Sequence, residues 1–179
     1  GFRSMFREYD IRGQVSDDQL CPANVYKIVK AYSKYLRRRN MLRAVVGYDN
    51  RSCSPAFAEA AVRALREEGI DVFFIGLTLS PAAYFAQYYL KCEGLVMITA
   101  SHNPDGWSGF KLACGYSKTL EPDDIREVYS LLDTPDTQCE AGKYEEVDVR
   151  DAYIDAIVSR IHMGKKKLRV VLDAANGGA

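Results

Sequence analysis

One stretch of the chain decides its fold class: residues 43–76, RAVVGYDNRSCSPAFAEAAVRALREEGIDVFFIG. Its first six residues are mainly apolar, which predicts a short buried strand. Ser54-Pro55 then indicates a helix start, a capping hydroxyl followed by proline at the first helical position. Apolar side chains recur at helical spacing until Gly69 ends the helix, and residues 70–75 form a second apolar strand. This strand–helix–strand order is typical of parallel strands joined by a crossover helix.

The same alternation continues on both sides of this stretch. Further helices are predicted over about 23–39, from Ser80-Pro81 onwards, around 125–132 and over 149–157, and further strands at 95–98, 109–113 and 168–172. Residues 133–147 are rich in Pro, Asp, Thr, Glu and Gly and are interpreted as a linker or an irregular edge. The predicted fold class is α/β, a mixed and largely parallel sheet layered between helices. We assign residues 1–147 to one N-terminal α/β domain, and residues 148–179 to a linker helix with the first strand and turn of a second, similar domain.

Composition narrows the function classes. The 179 residues carry 24 Lys and Arg against 24 Asp and Glu, and this formal net charge of zero argues against a general nucleic-acid or membrane-surface binder. Five cysteines form no C-x-x-C pair, which favours free thiols in a reducing cytosol over disulfides or a zinc site. The N-terminus has no apolar signal core, and no apolar run is long enough to cross a membrane. We therefore expect a cytoplasmic protein.

The strongest candidate site is the polar segment 99–106, TASHNPDG, which follows the predicted strand at 95–98. Ligands of open α/β sheets bind at the carboxyl ends of strands, so Ser101 is a candidate nucleophile. His102 and Lys111 are nearby groups that could handle a proton or supply charge. The segment could instead be a polar turn whose Ser and Asn only bond their own backbone, and spacing alone slightly favours the turn because such turns are common.

A serine hydrolase is the weaker enzymatic interpretation. The chain has no G-x-S-x-G elbow, and adjacent side chains of an extended segment point apart, which would place His102 poorly for taking a proton from Ser101. A serine that carries phosphate needs positive charge, a metal and exclusion of water instead. Arg12, Lys111 and the backbone N–H groups of the loop could supply that charge. No Walker loop or G-x-G-x-x-G sequence supports a nucleotide site.

Two other polar segments are less specific. Arg12-Gly13 lies near a short strand and could present a guanidinium to a phosphate, although a surface turn with an ion pair explains these residues better. Residues 48–55 follow a strand and enter a helix, a position that attracts anions. For Ser54 we favour a plain helix cap, and Arg51 lies where it could reach the Ser101 segment.

Five motifs, in this order, resemble the α-D-phosphohexomutase superfamily. They are FREYDIRG at 6–13, VGYDNR at 46–51 with Ser54-Pro55, TASHNP at 99–104, GFK at 109–111 and DAANGG at 173–178. They spread over almost the whole chain, and the Ser-His-Asn-Pro segment is highly specific within this framework. The Tyr-Asp-Ile-Arg-Gly form is similar to the phosphomannomutase/phosphoglucomutase branch of the family.

The resemblance implies a mechanism and a set of site residues. Ser101 is phosphorylated in the resting enzyme and gives its phosphate to a hexose 1- or 6-phosphate. A hexose 1,6-bisphosphate forms and turns over in the cleft, and its other phosphate returns to the serine. Arg12, His102 and Lys111 match residues that surround the transferring phosphate and assist proton transfer. Mg²⁺ is the implied cofactor, with Ser101 as a ligand through its phosphate and aspartates of a second domain as the remaining ligands.

The resemblance also implies a longer protein, because family members have four domains. The metal, sugar and phosphate loops of the family belong to the second, third and fourth. We expect this chain to be the N-terminal part of a mutase acting on mannose or glucose phosphates, inactive without the missing domains of its parent chain. Two alternatives stay open: a stand-alone domain that binds a sugar phosphate or a partner without catalysis, and the hydrolase above. Phosphorylation of Ser101 would favour the mutase.

Overall fold

The computed structural model describes residues 1–177, in which six strands and five α-helices occur. The strands are β1 (Ile11–Gln14), β2 (Arg43–Tyr48), β3 (Asp71–Leu77), β4 (Gly94–Ile98), β5 (Trp107–Cys114) and β6 (Tyr144–Glu146). The helices are α1 (Pro22–Arg38), α2 (Ser54–Glu67), α3 (Ser80–Leu90), α4 (Pro122–Ser130) and α5 (Arg150–Val158), and a short 3-10 helix covers Phe2–Met5. The elements predicted between residues 23 and 132 are confirmed. Within the described residues, no helix combines the length and apolar character that crossing a bilayer requires.

The strands form one mixed sheet in the order β1-β5-β4-β2-β3-β6. β2 is parallel to both β3 and β4, and β6 extends the sheet in parallel beside β3. β5 runs antiparallel to β4 and to β1. The predicted α/β class with a mixed, largely parallel sheet is therefore confirmed. Because β2, β3 and β4 are parallel, the loops that follow them meet along one side of the sheet, which we call the carboxyl edge.

Alternate residues of the central strands pack into two separate cores. On β2, Val46 lies in a core formed with α1, α2 and α4, whereas Val45 lies in a core on the α3 side. On β4, Val96 and Leu95 divide in the same way. Side chains of a strand alternate between its faces, and here both faces are apolar because helices cover both. The strand ends at the carboxyl edge are thus held by packing on two sides.

The predicted capping role of Ser54 is wrong, and Ser80 does not cap its helix either. Ser54 and Ser80 are the first residues of α2 and α3, and the preceding Cys53 and Leu79 make no side-chain capping bond. The Ser54 hydroxyl instead turns inward and donates to Asp49 Oδ1 at 2.5 Å.

The strand predicted at 168–172 is absent. These residues have no regular structure, and their side chains are exposed. A strand is stabilised by neighbours that accept and donate its backbone hydrogen bonds, and no strand of the described part lies beside this segment. The glycine turn predicted after it continues to residues 178–179, which lie outside the described residues. The domain boundary near residue 147 stays a prediction; α5 contacts α3 through Tyr153, whose ring centroid is 5.6 Å from that of Phe85.

The predicted irregular edge at 133–147 combines an irregular segment with the short strand β6. We call residues 133–143 the strap. Lys34 Nζ donates to the carbonyl oxygen of Thr134 at 2.7 Å, and the N–H of Gly142 donates to the carbonyl oxygen of Arg66 at 2.8 Å. These bonds join the strap to α1 and α2, so the strap leads β6 to its place beside β3.

Candidate active site

The segment that carries Ser101 follows β4 at the carboxyl edge. We call residues 99–106 the Ser101 loop. The turn after β2 lies next to it, because the N–H of Asp49 donates to the carbonyl oxygen of Ile98 at 2.9 Å. A cavity of about 510 Å³ opens between these two loops and the start of α3. Its lining includes Asp49, Arg51, Thr78, Ser80, Ser101 and Asn103. This volume lies within the range of small-molecule sites.

Ser101 is exposed, and its backbone adopts the left-handed region with φ at 56°. Its hydroxyl oxygen lies 3.3 Å from His102 Nδ1. The prediction that His102 would be poorly placed beside Ser101 is therefore wrong. That prediction assumed an extended segment, whereas a positive φ turns the chain so that the two side chains converge. The imidazole is within reach of a proton on the serine oxygen.

Arg12 lies on β1 and is joined to the Ser101 loop. Its Nη1 donates to Asn103 Oδ1 at 2.6 Å, and its Nη2 donates to Asp10 Oδ2 at 2.6 Å. β1 comes close to β5 because the residue opposite Arg12 is Gly109, where a Cβ atom would overlap the carbonyl oxygen of Ile11. Ser101 and Asn103 thus point their side chains at other side chains rather than at their own backbone, which disfavours a purely local polar turn.

Lys111 lies one strand away from the loop, on β5. It is half-buried and directly opposite Met97 of β4, and Met97 lines the cavity. Within residues 1–177 its ammonium group makes no hydrogen bond or ion pair. The structure therefore brings Ser101 and His102 into direct contact, joins Arg12 to the same loop through Asn103, and leaves Lys111 as a positive charge on the neighbouring strand.

Sequence reasoning missed the part played by Asp49 and underestimated Arg51. Arg51 donates to the carbonyl oxygens of Asn103, Pro104 and Trp107 at 2.5, 3.0 and 3.3 Å. The proximity of Arg51 to the loop was expected, but not that the guanidinium holds the loop backbone. The sequence did contain a signal for these contacts, because Asp49 lies two residues before Arg51 at the end of a strand. Interpreting Ser54 as a helix cap obscured that signal.

The described residues do not form a magnesium site by themselves. Among residues 1–177, no three His, Cys, Asp or Glu side chains come together in a way that could hold a metal ion. Asp49 in the neighbouring turn already accepts hydrogen bonds on both carboxylate oxygens. Mg²⁺ requires near-octahedral oxygen ligation, which this arrangement lacks. Arg12 and Lys111 instead suit an anionic group near Ser101.

Comparison with known proteins gives a consistent picture. The family model described as phosphoglucomutase/phosphomannomutase, alpha/beta/alpha domain I, matches residues 3–138. A phosphomannomutase from Vibrio cholerae is 35% identical over 181 residues, which cover 97% of this chain and 39% of that protein. A phosphomannomutase/phosphoglucomutase from Pseudomonas putida is 35% identical over 176 residues, covering 98% of this chain and 37% of that protein.

Solved structures agree with the sequence relatives. The crystal structure of a phosphoglucomutase/phosphomannomutase family protein from Burkholderia thailandensis superposes with a TM-score of 0.80 at 29% identity. The match covers 89% of this chain and 36% of that one. The chain thus spans less than two fifths of the length of the relatives and the solved structure that it matches.

Proposed function

The chain belongs to the phosphoglucomutase/phosphomannomutase family, through domain I, and from this membership we propose that it supplies the phosphoryl-carrying serine of a phosphohexose mutase. The mutase interconverts hexose 1-phosphates and hexose 6-phosphates of mannose, glucose or both. Ser101 carries the phosphoryl group. The observation that supports this most directly is an exposed Ser101 hydroxyl at the carboxyl edge, 3.3 Å from His102 Nδ1.

The reaction consists of two phosphoryl transfers in opposite directions. In the first, the P–O bond to Ser101 Oγ breaks and a P–O bond to a hydroxyl oxygen of the hexose phosphate forms, giving a hexose 1,6-bisphosphate. The sugar hydroxyl loses its proton, and the serine oxygen gains one. In the second, the P–O bond to the other phosphorylated sugar oxygen breaks and a P–O bond to Ser101 Oγ forms; the sugar oxygen gains a proton, and the serine oxygen gives up its proton. His102 Nδ1 is the group that exchanges this proton with the serine oxygen.

Positive groups around the serine stabilise the transferring phosphoryl group. Negative charge on its oxygens is offset best by donors that are already in place before the reaction. Arg12, fixed by Asn103 and Asp10, has guanidinium N–H groups beyond the two that these bonds use. Lys111 adds an ammonium group on the neighbouring strand.

The remaining components of the mutase belong to a longer parent protein in this proposal. The support is that the curated relatives are more than twice as long as the chain. Magnesium, when bound, would offset phosphoryl charge, and its other ligands would come from that remainder, since residues 1–177 hold no metal cluster. The 179 residues alone should therefore fold without catalysing mutase turnover, and a coupled assay for glucose 6-phosphate should stay at background.

The experiment that tests the proposal replaces Ser101 in the parent mutase. Ser101→Ala should reduce the interconversion of glucose 1-phosphate and glucose 6-phosphate to background in the presence of glucose 1,6-bisphosphate. It should also abolish the phosphoserine detected by mass spectrometry of the resting enzyme. Ser117→Ala is a matched control, because Ser117 is an exposed serine that also has a positive φ, 51°. Normal turnover in Ser101→Ala would overturn the proposal and leave a non-catalytic binding domain as the better interpretation.

A further inference from the structure

Ser101 occupies a backbone conformation that needs external support. A non-glycine residue with positive φ is strained and persists where the surrounding bonds over-determine it. Two of these bonds are local: the N–H of Ser101 donates to Thr99 Oγ1 at 3.0 Å, and the N–H of Asn103 donates to the carbonyl oxygen of Ala100 at 3.1 Å. Both move with the loop, so neither fixes the loop relative to the sheet.

The carboxylate of Asp49 connects the residue that precedes Ser101 to the central strands. Its Oδ2 accepts from the N–H of Ala100 at 3.3 Å, one residue before the serine. Its Oδ1 accepts from the buried Ser54 hydroxyl at 2.5 Å and from the N–H of Arg51 at 3.2 Å. Its own backbone N–H is bound at the end of β4. Asp49 is thus fixed by β4 and by the start of α2, and it holds the residue that precedes the nucleophile.

Arg51 holds the other end of the same loop. Its guanidinium donates to carbonyl oxygens of residues 103, 104 and 107, and its Nε lies 3.5 Å from Asp49 Oδ2. The carboxylate therefore acts twice, directly on the N–H of Ala100 and indirectly by orienting the arginine. Ser101 and His102 lie between these two attachments.

We propose that Asp49 is a positioning residue for phosphoryl transfer, which holds Ser101 in its left-handed conformation without touching the phosphoryl group. This inference rests on the function proposed above. Displacement of a reacting atom by about 1 Å is enough to cost on the order of a hundredfold in rate. Loss of the Asp49 carboxylate should accordingly lower kcat with little effect on KM, because the cavity that receives the sugar phosphate remains.

The test begins with Asp49→Asn in the 179-residue chain, since the amide keeps the shape of the side chain and loses its charge and one acceptor. Hydrogen exchange measured by NMR should accelerate about tenfold or more at the amides of Ala100 and Ser101. Ser54→Ala, which removes only a donor to Asp49, should give a smaller acceleration. Asp71→Asn is the matched control, because Asp71 Oδ1 accepts the N–H of Lys143 at 2.7 Å and lies at the start of β3, away from the carboxyl edge.

The second measurement uses the same variants in the parent mutase. Asp49→Asn should lower kcat by about tenfold to a hundredfold with KM within about threefold, and Asp71→Asn should leave both unchanged. Unchanged exchange at Ala100 and Ser101, or an unchanged kcat in Asp49→Asn, would overturn the positioning role. Full activity of Ser101→Ala would overturn the proposed function instead, and the exchange result in the chain would still report whether Asp49 holds the loop.

Discussion

Two irregular segments of this chain, the Ser101 loop and the strap, are each held by charged side chains, but the surroundings of those charges differ. At the loop, the side chains of Arg12 and Arg51 remain 17% and 20% exposed. At the strap, Glu68 is fully buried, and Lys30 lies 3.0 Å from it with its side chain 8% exposed. Charges at the loop can still meet a ligand, whereas those beneath the strap meet only protein.

Because the two sets of charged side chains differ in burial, we expect them to have different roles. Burial tends to lower the pKa of Lys30, but its bonds to Glu68 and Asp136 outweigh burial and hold the pKa above the ordinary value. The ammonium group therefore stays charged beneath the strap, next to a carboxylate that also accepts the N–H of Thr137 at 3.3 Å. We expect Lys30 and Glu68, which lie beneath the strap, to govern stability. We expect Arg12 and Arg51, which hold the Ser101 loop, to govern phosphoryl transfer.

The largest expected effect is on stability, from breaking the buried pair. Glu68→Gln should lower the free energy of unfolding by about 3–5 kcal/mol, because it leaves Lys30 charged and without its buried partner. Urea unfolding of the 179-residue chain measures this loss. Adding Lys30→Met to the same chain should recover much of it, since the buried ammonium group is then removed.

The same variant also tests whether the two segments act independently. In the parent mutase, Glu68→Gln should leave kcat unchanged at a temperature where the protein is still folded. A tenfold lower kcat in folded Glu68→Gln would contradict the separation of tasks, because the strap would then control the Ser101 loop.

The next effect is catalytic and should appear without a change in stability. His102→Ala and Lys111→Ala should each lower kcat of the parent mutase by about a hundredfold, the scale of an acid–base or charge-stabilising group and equivalent to about 2.7 kcal/mol of activation free energy. The free energy of unfolding should stay within about 0.5 kcal/mol. His162→Ala and Lys118→Ala replace exposed residues of the same types elsewhere and serve as controls. Equal activity of test and control variants would remove His102 or Lys111 from the site.

Most of the fold could be predicted because apolar periodicity reports burial directly. Val45 and Val46 belong to different cores, and a short apolar run bounded by polar turns already indicates a strand covered on both faces. The strand β6 was not predicted, because its three residues are exposed and it depends on pairing with β3. The prediction of a strand at 168–172 failed for the opposite reason. The composition of this segment suits a strand, but no strand within residues 1–177 pairs with it.

The site was predictable in its residues but not in its geometry. Ser101 and His102 could be identified from the motif, yet their convergence depends on a positive φ, which the sequence does not reveal for a serine. The burial of Lys30 and Glu68 was equally hidden, since charged residues at helical spacing are normally exposed. Their burial arises from the strap, a segment whose polar composition gives no sign that it covers a charge.

The smallest expected effect concerns Asp136, an exposed residue of the strap that pairs with Lys30 and Lys34 of α1. Its carboxylate lies 3.1 Å from both Lys30 Nζ and Lys34 Nζ, with its side chain 58% exposed. The bond to Lys34, followed by that to Lys30, lowers the pKa of Asp136 despite partial desolvation. Because the folded pKa lies below the unfolded one, this pair stabilises the fold fully above about pH 4, the ordinary aspartate range, and less as the pH falls through the folded pKa.

Asp136→Asn should therefore lower the free energy of unfolding by only about 0.5 kcal/mol at pH 6, the usual scale for an exposed pair. The difference from the unmodified chain should shrink below about pH 4, where the carboxylate of the unfolded chain is already protonated. Urea unfolding at pH 6, 4 and 3 measures both trends. Asp133→Asn is the control, because Asp133 pairs with Lys27 at 3.0 Å while its side chain is 90% exposed, and its loss should be undetectable. A loss of several kcal/mol in Asp136→Asn would mean that the low-dielectric surroundings of Glu68 extend to the outer face of the strap.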